Sequence, residues 1–508
     1  MKIKGLISLC LAGFAAAGFA QTHVEGEEYF KAGQYNNAFD LLERSLNNPA
    51  TDKAVSNYYL GSYWILGKDN NKAREYFTKG IAVNPEYPMN YVGLGKLDLM
   101  QGNVKGAEAQ FKLAEKFGKK NASVTTAIAR AYYDVDKVGY EKQITKYKEK
   151  ALKQDMKNPD YYIFLGDELS DANNINGAST QYDWARSYDP KSAVAYVKYA
   201  ELFHKANPKL SIQMLKDLLV NNPTSALGQH ELAETYEEQG DYKNATIEYG
   251  KYVNNPVHFK KDESKYSFLL YYDQQYQKGY DYATKLLKED PSNYDAQRYQ
   301  FMNAVMLPDL KDQLLPMAEA LYATHQADPK KKPLSFVDYH FISNVLSNNG
   351  KMNEAIAVLK EGISDPNLEK FRPQLTNTLF DTYMRVVNKD MTEGMAEVKA
   401  NNKENANRIL TEGIEYAQKA SEVNPESYLP YYRMGTLYNI MGDQTKGFEL
   451  YEKAASLEIP NEGDAKILYK MLGDYFKAKS KDKAINFYNK YLELDPENVE
   501  VNAAMGKL

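Results

Sequence analysis

At 508 residues the chain is too long for one ordinary hydrophobic core, so it calls for several domains or a repeat array. Charged residues make up 26% and hydrophobic residues 43%, which excludes a disordered chain, and 68 acids against 63 bases leave a net charge of −5 without the concentrated basic face of a nucleic-acid binder. One cysteine, Cys10, excludes a disulfide framework.

The first element is an address. Lys2 and Lys4 precede an apolar run from Gly5 to Phe19, and Gly18-Phe19-Ala20 offers small residues for cleavage before Gln21. Residues 1–20 are therefore expected to be a signal peptide, and its loss would take the charge from −5 to −7. The run is too short for a transmembrane helix, and no later stretch approaches that length, so no transmembrane span is expected. Ile7-Ser8-Leu9 ahead of Cys10 departs from a lipobox, which makes lipidation there the minor reading. The expected location is periplasmic, with outer-membrane association open.

Beyond the signal, prolines mark a period. Pro49, Pro85, Pro159, Pro190, Pro223, Pro256, Pro291, Pro329, Pro366, Pro425, Pro460 and Pro496 each follow an apolar helical pattern, most after Asn or Asp. The best-formed unit runs from Ala226 to Pro256. Leu232, Ala233 and Tyr236 share one helix face, Ala245, Tyr249 and Tyr252 another, with Gly240 turning between them. Neither helix can bury its stripe alone, so each hairpin needs neighbours. Thirteen such units fill 21–508: an array over 21–291, a degenerate repeat or bend at 292–333, where Pro308 and Pro316 interrupt the pattern, and a second array over 334–508. A polar insertion near 388–407 reads as a longer excursion between helices, and Val499 to Leu508 as a short capping helix.

The residues that recur through these units are Leu60-Gly61, Trp64, Ala73, Phe77, Gly80 and Pro85; Leu94-Gly95, Gly102, Ala107 and Phe111; Leu165-Gly166, Ala178, Tyr182 and Pro190; and Leu472-Gly473, Phe476, Ala484, Tyr488 and Pro496. Their offsets resemble the tetratricopeptide repeat (TPR) pattern. The resemblance implies an all-α, right-handed superhelical solenoid of about thirteen helix–turn–helix repeats, with the first helix of each unit lining a concave wall. The Tyr-, Asn- and Lys-rich composition also resembles periplasmic TPR proteins of Bacteroidota.

In that frame Glu201, His204, His230, Glu234 and Glu237 fall on the wall, followed by Phe268, Tyr271 and Tyr272. Two His and several Glu on adjacent helices have metal-ligand chemistry, but an acidic, partly solvated groove without a metal is the plainer reading. No G-x-S-x-G, Walker A or HExxH motif is present, and neither catalysis nor a cofactor is expected. The wall residues are read as a partner-binding surface. The expected function is a scaffold or adaptor of the bacterial envelope for a peptide or protein partner, in outer-membrane assembly, secretion or nutrient uptake. The alternatives are a glycan-binding protein stacking sugars on groove tyrosines, which buried aromatics would disfavour, and an envelope enzyme using the Glu/His cluster, which would require those side chains to converge.

Overall fold

Each hairpin of the repeat is built by the same local rules. Asp69, Asn103, Asn174, Asp241 and Asp443 accept hydrogen bonds at the starts of second helices. In nine of the described pairs a residue of the turn between the two helices adopts left-handed backbone. It is Gly33, Gly102, Gly240, Gly350 or Gly442 in five units, and Lys68, Asn173, Gln274 or Asn401 in others. The sixth unit instead turns through Ala206-Asn207 and places Pro208 at the first helical position, where no amide hydrogen is needed.

The computed structural model describes residues 23–508; the expected signal peptide and Cys10 lie outside the described residues. In chain order the described helices read as thirteen pairs and a final short helix, with no strand among the described residues. They are α1 (23–31) and α2 (Tyr35–Leu46); α3 (Lys53–Leu66) and α4 (Asn70–Val83); α5 (Met89–Met100) and α6 (Val104–Gly118); α7 (Ala122–Asp136) and α8 (Glu141–Gln154); α9 (Pro159–Asp171) and α10 (Ile175–Tyr188); α11 (Ala193–Phe203) and α12 (Pro208–Asn221); α13 (Ala226–Glu238) and α14 (Tyr242–Tyr252). There follow α15 (Glu263–Tyr272) and α16 (Tyr276–Glu289); α17 (Tyr294–Ala304) and α18 (Leu314–Ala327); α19 (Phe336–Asn348) and α20 (Met352–Ser364); α21 (Arg372–Lys399) and α22 (Lys403–Val423); α23 (Tyr428–Met441) and α24 (Gln444–Ala455); α25 (Glu462–Phe476) and α26 (Lys481–Leu494); and α27 (Val499–Met505). This is an all-α helical-repeat solenoid. No described helix is long and apolar enough to cross a membrane.

Close approach within a pair rests on a glycine facing an aromatic ring. A side chain at Gly61 would meet the Phe77 ring at 2.5 Å, and Gly95, Gly166 and Gly473 stand in the same relation to Phe111, Tyr182 and Tyr488. Asparagines before the prolines tie one unit to the last. Asn222 Nδ2 donates to the carbonyl of Lys191 at 3.0 Å, and Asn255 Nδ2 to that of Thr224 at 2.9 Å.

The chain divides into two compact units between Gln300 and Phe301. In the first, one core runs from Tyr29, Ala32, Leu41 and Leu42 of the first hairpin to Tyr196, Val197, Ala226, Tyr249 and Leu269 of units six to eight. The first hairpin therefore packs on a distant part of its own array as well as on α3.

In the second unit, Pro308 opens a 3-10 turn (Pro308–Gln313) and Pro316 sits in the first turn of α18, both positions that tolerate the missing amide hydrogen. Buried His325 anchors the stretch Pro329-Lys330-Lys331-Lys332-Pro333, its Nδ1 lying 2.7 Å from the Lys332 carbonyl and its Nε2 2.6 Å from Glu361. The excursion expected near 388–407 is not a loop. Residues 388–399 continue α21 and 403–407 begin α22, joined by 400–402. The segment holds no proline, Gly394 packs against Leu410, and the buried residues Leu410 and Ala406 keep the helical spacing, so the hairpin simply lengthens.

Candidate functional site

The first helices of the N-terminal unit form a wall whose charges pair from one helix to the next. Lys96 of α5 reaches Asp134 of α7. Asp167 of α9 is held by Arg130 of α7 at 2.7 Å and Lys198 of α11 at 3.0 Å, and Tyr182 Oη donates to it at 2.8 Å. Burial would raise the Asp167 carboxyl, but Arg130 and Lys198 hold it below the usual carboxylate range. Its stabilising effect is thus in place above that range and is lost as the pH falls through the depressed value. Asp167→Ala leaves Arg130 and Lys198 without their shared partner and is expected to cost about 2–4 kcal/mol in urea unfolding followed by circular dichroism.

Of the residues singled out by sequence, Glu201 on α11 makes no ion pair among the described residues. Burial, with repulsion from Glu231 and Asp167, outweighs the attraction of Lys198 and His204 and pushes its carboxyl up to about 7. His204, which ends α11, pairs with Glu238 at the C-terminal end of α13. His230 is packed against Tyr252, with ring centroids 4.8 Å apart, and its buried Nδ1 lies 3.7 Å from Glu231 Oε1 with no closer hydrogen-bond partner among the described residues. Burial lowers its pKa, but Glu231, Glu234 and Asp262, 3.6–3.9 Å away, outweigh that and raise it. Glu234 and Glu237 both take Lys265 of α15, at 2.6 and 2.8 Å.

These groups do not converge. His204 is engaged with Glu238, and Lys265 bridges Glu234 and Glu237 although Glu234 also stays 3.6 Å from His230. Among the described residues no three His, Asp or Glu side chains stand in metal-holding geometry. The aromatics are half-buried and face one another: Phe268 against Tyr272 and Tyr299, Tyr271 against Tyr276, and Tyr272 stacked on Tyr242 at 4.6 Å. The ring face that a sugar would need on Tyr272 is already covered on one side by Tyr242.

Sequence reasoning missed the first hairpin as part of this site. Gln34 Nε2 donates to Glu231 Oε1 at 3.1 Å, the Tyr29 ring meets Phe259 edge-on at 5.5 Å, and Lys31 Nζ donates to Asp160 at 2.8 Å. Two α1 carboxylates cap distant helices. Glu28 accepts from the Ala193 amide at the start of α11 at 2.8 Å, and Glu25 from the Ala226 amide at the start of α13 at 3.4 Å. The i, i+3 spacing of Glu25 and Glu28 places both on one face, but nothing local signals which helices they meet.

A tetratricopeptide repeat family model matches residues 465–498, the stretch from within α25 through α26. No curated protein matches the sequence. Among solved structures, pilF of Pseudomonas aeruginosa is 17% identical over 42% of this chain and 97% of its own, with a TM-score of 0.29. The C-terminal part of a TPR repeat-containing protein from Cytophaga hutchinsonii is 15% identical over 61% of this chain and 98% of its own, with a TM-score of 0.29. YrrB, described as a TPR protein with an unusual peptide-binding site, is 20% identical over 36% of this chain and 92% of its own, with a TM-score of 0.23. The chain thus carries a tetratricopeptide repeat at 465–498 within an all-α helical-repeat solenoid.

Proposed function

We propose that this protein is a non-enzymatic scaffold of the bacterial cell envelope, exported by residues 1–20, that binds a peptide or protein segment bearing Lys or Arg on the first-helix wall of its N-terminal unit. Tetratricopeptide folds typically serve as protein-interaction scaffolds, because stacked repeats present long preformed surfaces at little ordering cost. One observation carries the choice of partner. Lys96, Arg130, Lys198 and Lys265 are all ion-paired along the wall, while Glu201 makes no ion pair among the described residues, so the open electrostatic position is one for an incoming cation. Assembly, secretion and uptake machineries of the outer membrane are the settings in which such an adaptor would work.

The test is a peptide-library screen on the purified full chain, followed by affinity measurements at low and physiological salt. Lys- or Arg-bearing segments are expected to be enriched, to weaken with salt, and to lose about fivefold or more in affinity with Glu201→Gln. Enrichment of acidic segments, or unchanged affinity in Glu201→Gln, would overturn the assignment of this wall.

A further inference from the structure

A cleft of about 450 Å³ lies between α1 and the N-terminal ends of α9 and α11, apart from Glu201, His204 and His230. Its walls are partly apolar, from Pro159, Ile163 and Val194, and its lining carries five carboxylates against two lysines. One lysine is already committed: Lys31 is held by Glu27 and Asp160, each at 2.8 Å. Glu25 and Glu28 remain, with Asp189 and Lys191 at the turn before α11. Glu25 is 5% exposed, and its carboxyl faces the Ala226 and Leu227 amides at the start of α13, but its Oε2 completes no hydrogen bond among the described residues. A buried carboxylate oxygen left unpaired is costly, and an ammonium ion is the compact cation with several donors that could serve it.

We propose that this cleft binds a primary alkylammonium group, its NH3+ held by Glu25 and Glu28 and its methylene chain lying along Pro159, Ile163 and Val194. The apolar walls favour an alkyl chain behind the charge over a bare ion. The source is either a lysine side chain presented by a partner or a free diamine, since both offer the same group. Burial pushes both carboxyls up, aided by the Glu28 charge at Glu25 and by the Asp189 charge at Glu28, to about 8 and about 7. A bound cation therefore displaces protons, and affinity rises as the pH rises from 6 to 8.5. Lys31, Asp160 and the Asp189–Lys191 turn face the same carboxylates, but Lys31 keeps its charge throughout that interval and Asp160, held low by Lys31, keeps its own.

The experiment is calorimetric titration of the full chain with 1,5-diaminopentane in one arm and Nα-acetyl-lysine methylamide in the other, at pH 6, 7 and 8.5, using 1-pentanol and the Nε-acetylated lysine as controls. Binding by at least one amine, absent with both controls, tighter at high pH and weakened tenfold or more by Glu25→Gln is the expected result. The arm that binds more tightly names the source. Glutamine keeps the carbonyl that faces Ala226, so this variant is expected to fold, which its circular dichroism and melting curve check; Glu28→Gln provides a second variant. Failure of both amines to bind wild type, equal binding to the controls, or affinity unchanged in both folded variants would overturn the proposal. Glu201→Gln should leave amine binding in the cleft unaltered, so the wall and the cleft can fail separately.

Discussion

Replacing Phe77 with alanine is expected to destabilise the N-terminal unit by about 3–5 kcal/mol, read from the midpoint and slope of urea unfolding. The Phe77 ring is fully buried on α4 and lies where the side chains of both Gly61 on α3 and Gly93 on α5 would otherwise be. One ring thus sets the distance within its pair and the distance to the next. Truncating it removes apolar surface and leaves a void lined by two glycines, which have no side chains to move into it. Gly93→Ala in the wild-type background should cost about 1–3 kcal/mol by overpacking the ring. In the Phe77→Ala background the same change should be neutral or favourable, because the void receives the methyl group. A double-mutant cycle that shows simple additivity would refute this account.

Raising the pH from 5 to 9 is expected to loosen the first hairpin, and Glu25→Gln should remove most of the effect. Glu25 ordinarily titrates near 4.5 but near 8 in the fold, through burial first and the Glu28 charge second. Between those values the folded state holds a proton that the unfolded chain has released. The stability it confers is therefore complete below the ordinary value and falls as the pH climbs towards 8. At about 1.4 kcal/mol per unit of displacement, Glu25 accounts for a loss on the order of 4 kcal/mol. Glu28, raised to about 7, acts in the same direction. So does His230, whose raised pKa gives stability that is present at low pH and lost on deprotonation. Asp167 titrates below this interval and does not contribute. Hydrogen exchange at α1 amides across the interval, in wild type and Glu25→Gln, locates the effect. Exchange independent of pH once the intrinsic chemistry is removed would contradict it.

The repeat was legible because its determinants are local. Gly61, Gly95 and Gly166 stand 16 residues, and Gly473 15, before the rings they admit, and the turn glycines stand where the backbone goes left-handed. Thirteen hairpins and the capping helix α27 follow from those spacings. The segment at 388–407 reads as an insertion from its polar, Asn-rich composition, but its helical form is decided by packing, because Ala406 and Leu410 on α22 keep burying a helical face. The wall was legible only as a set of positions. Glu201, His204, His230 and Glu234 were assigned to it by register, but their partners Glu238, Asp262 and Lys265 come from neighbouring units and could not be read from spacing.

By itself the sequence determined the all-α repeat architecture, since a period of apolar stripes, turn residues and prolines constrains each hairpin against the next one along. Only the tertiary structure decided what meets the wall. The contacts of Glu25 with Ala226, Glu28 with Ala193 and Gln34 with Glu231 join residues 165 to 201 positions apart. Nearest-neighbour packing sets a small rotation at each repeat, and the sum of those rotations brings α1 back onto α11 and α13. No local pattern encodes that sum, because each interface along the way contributes to it.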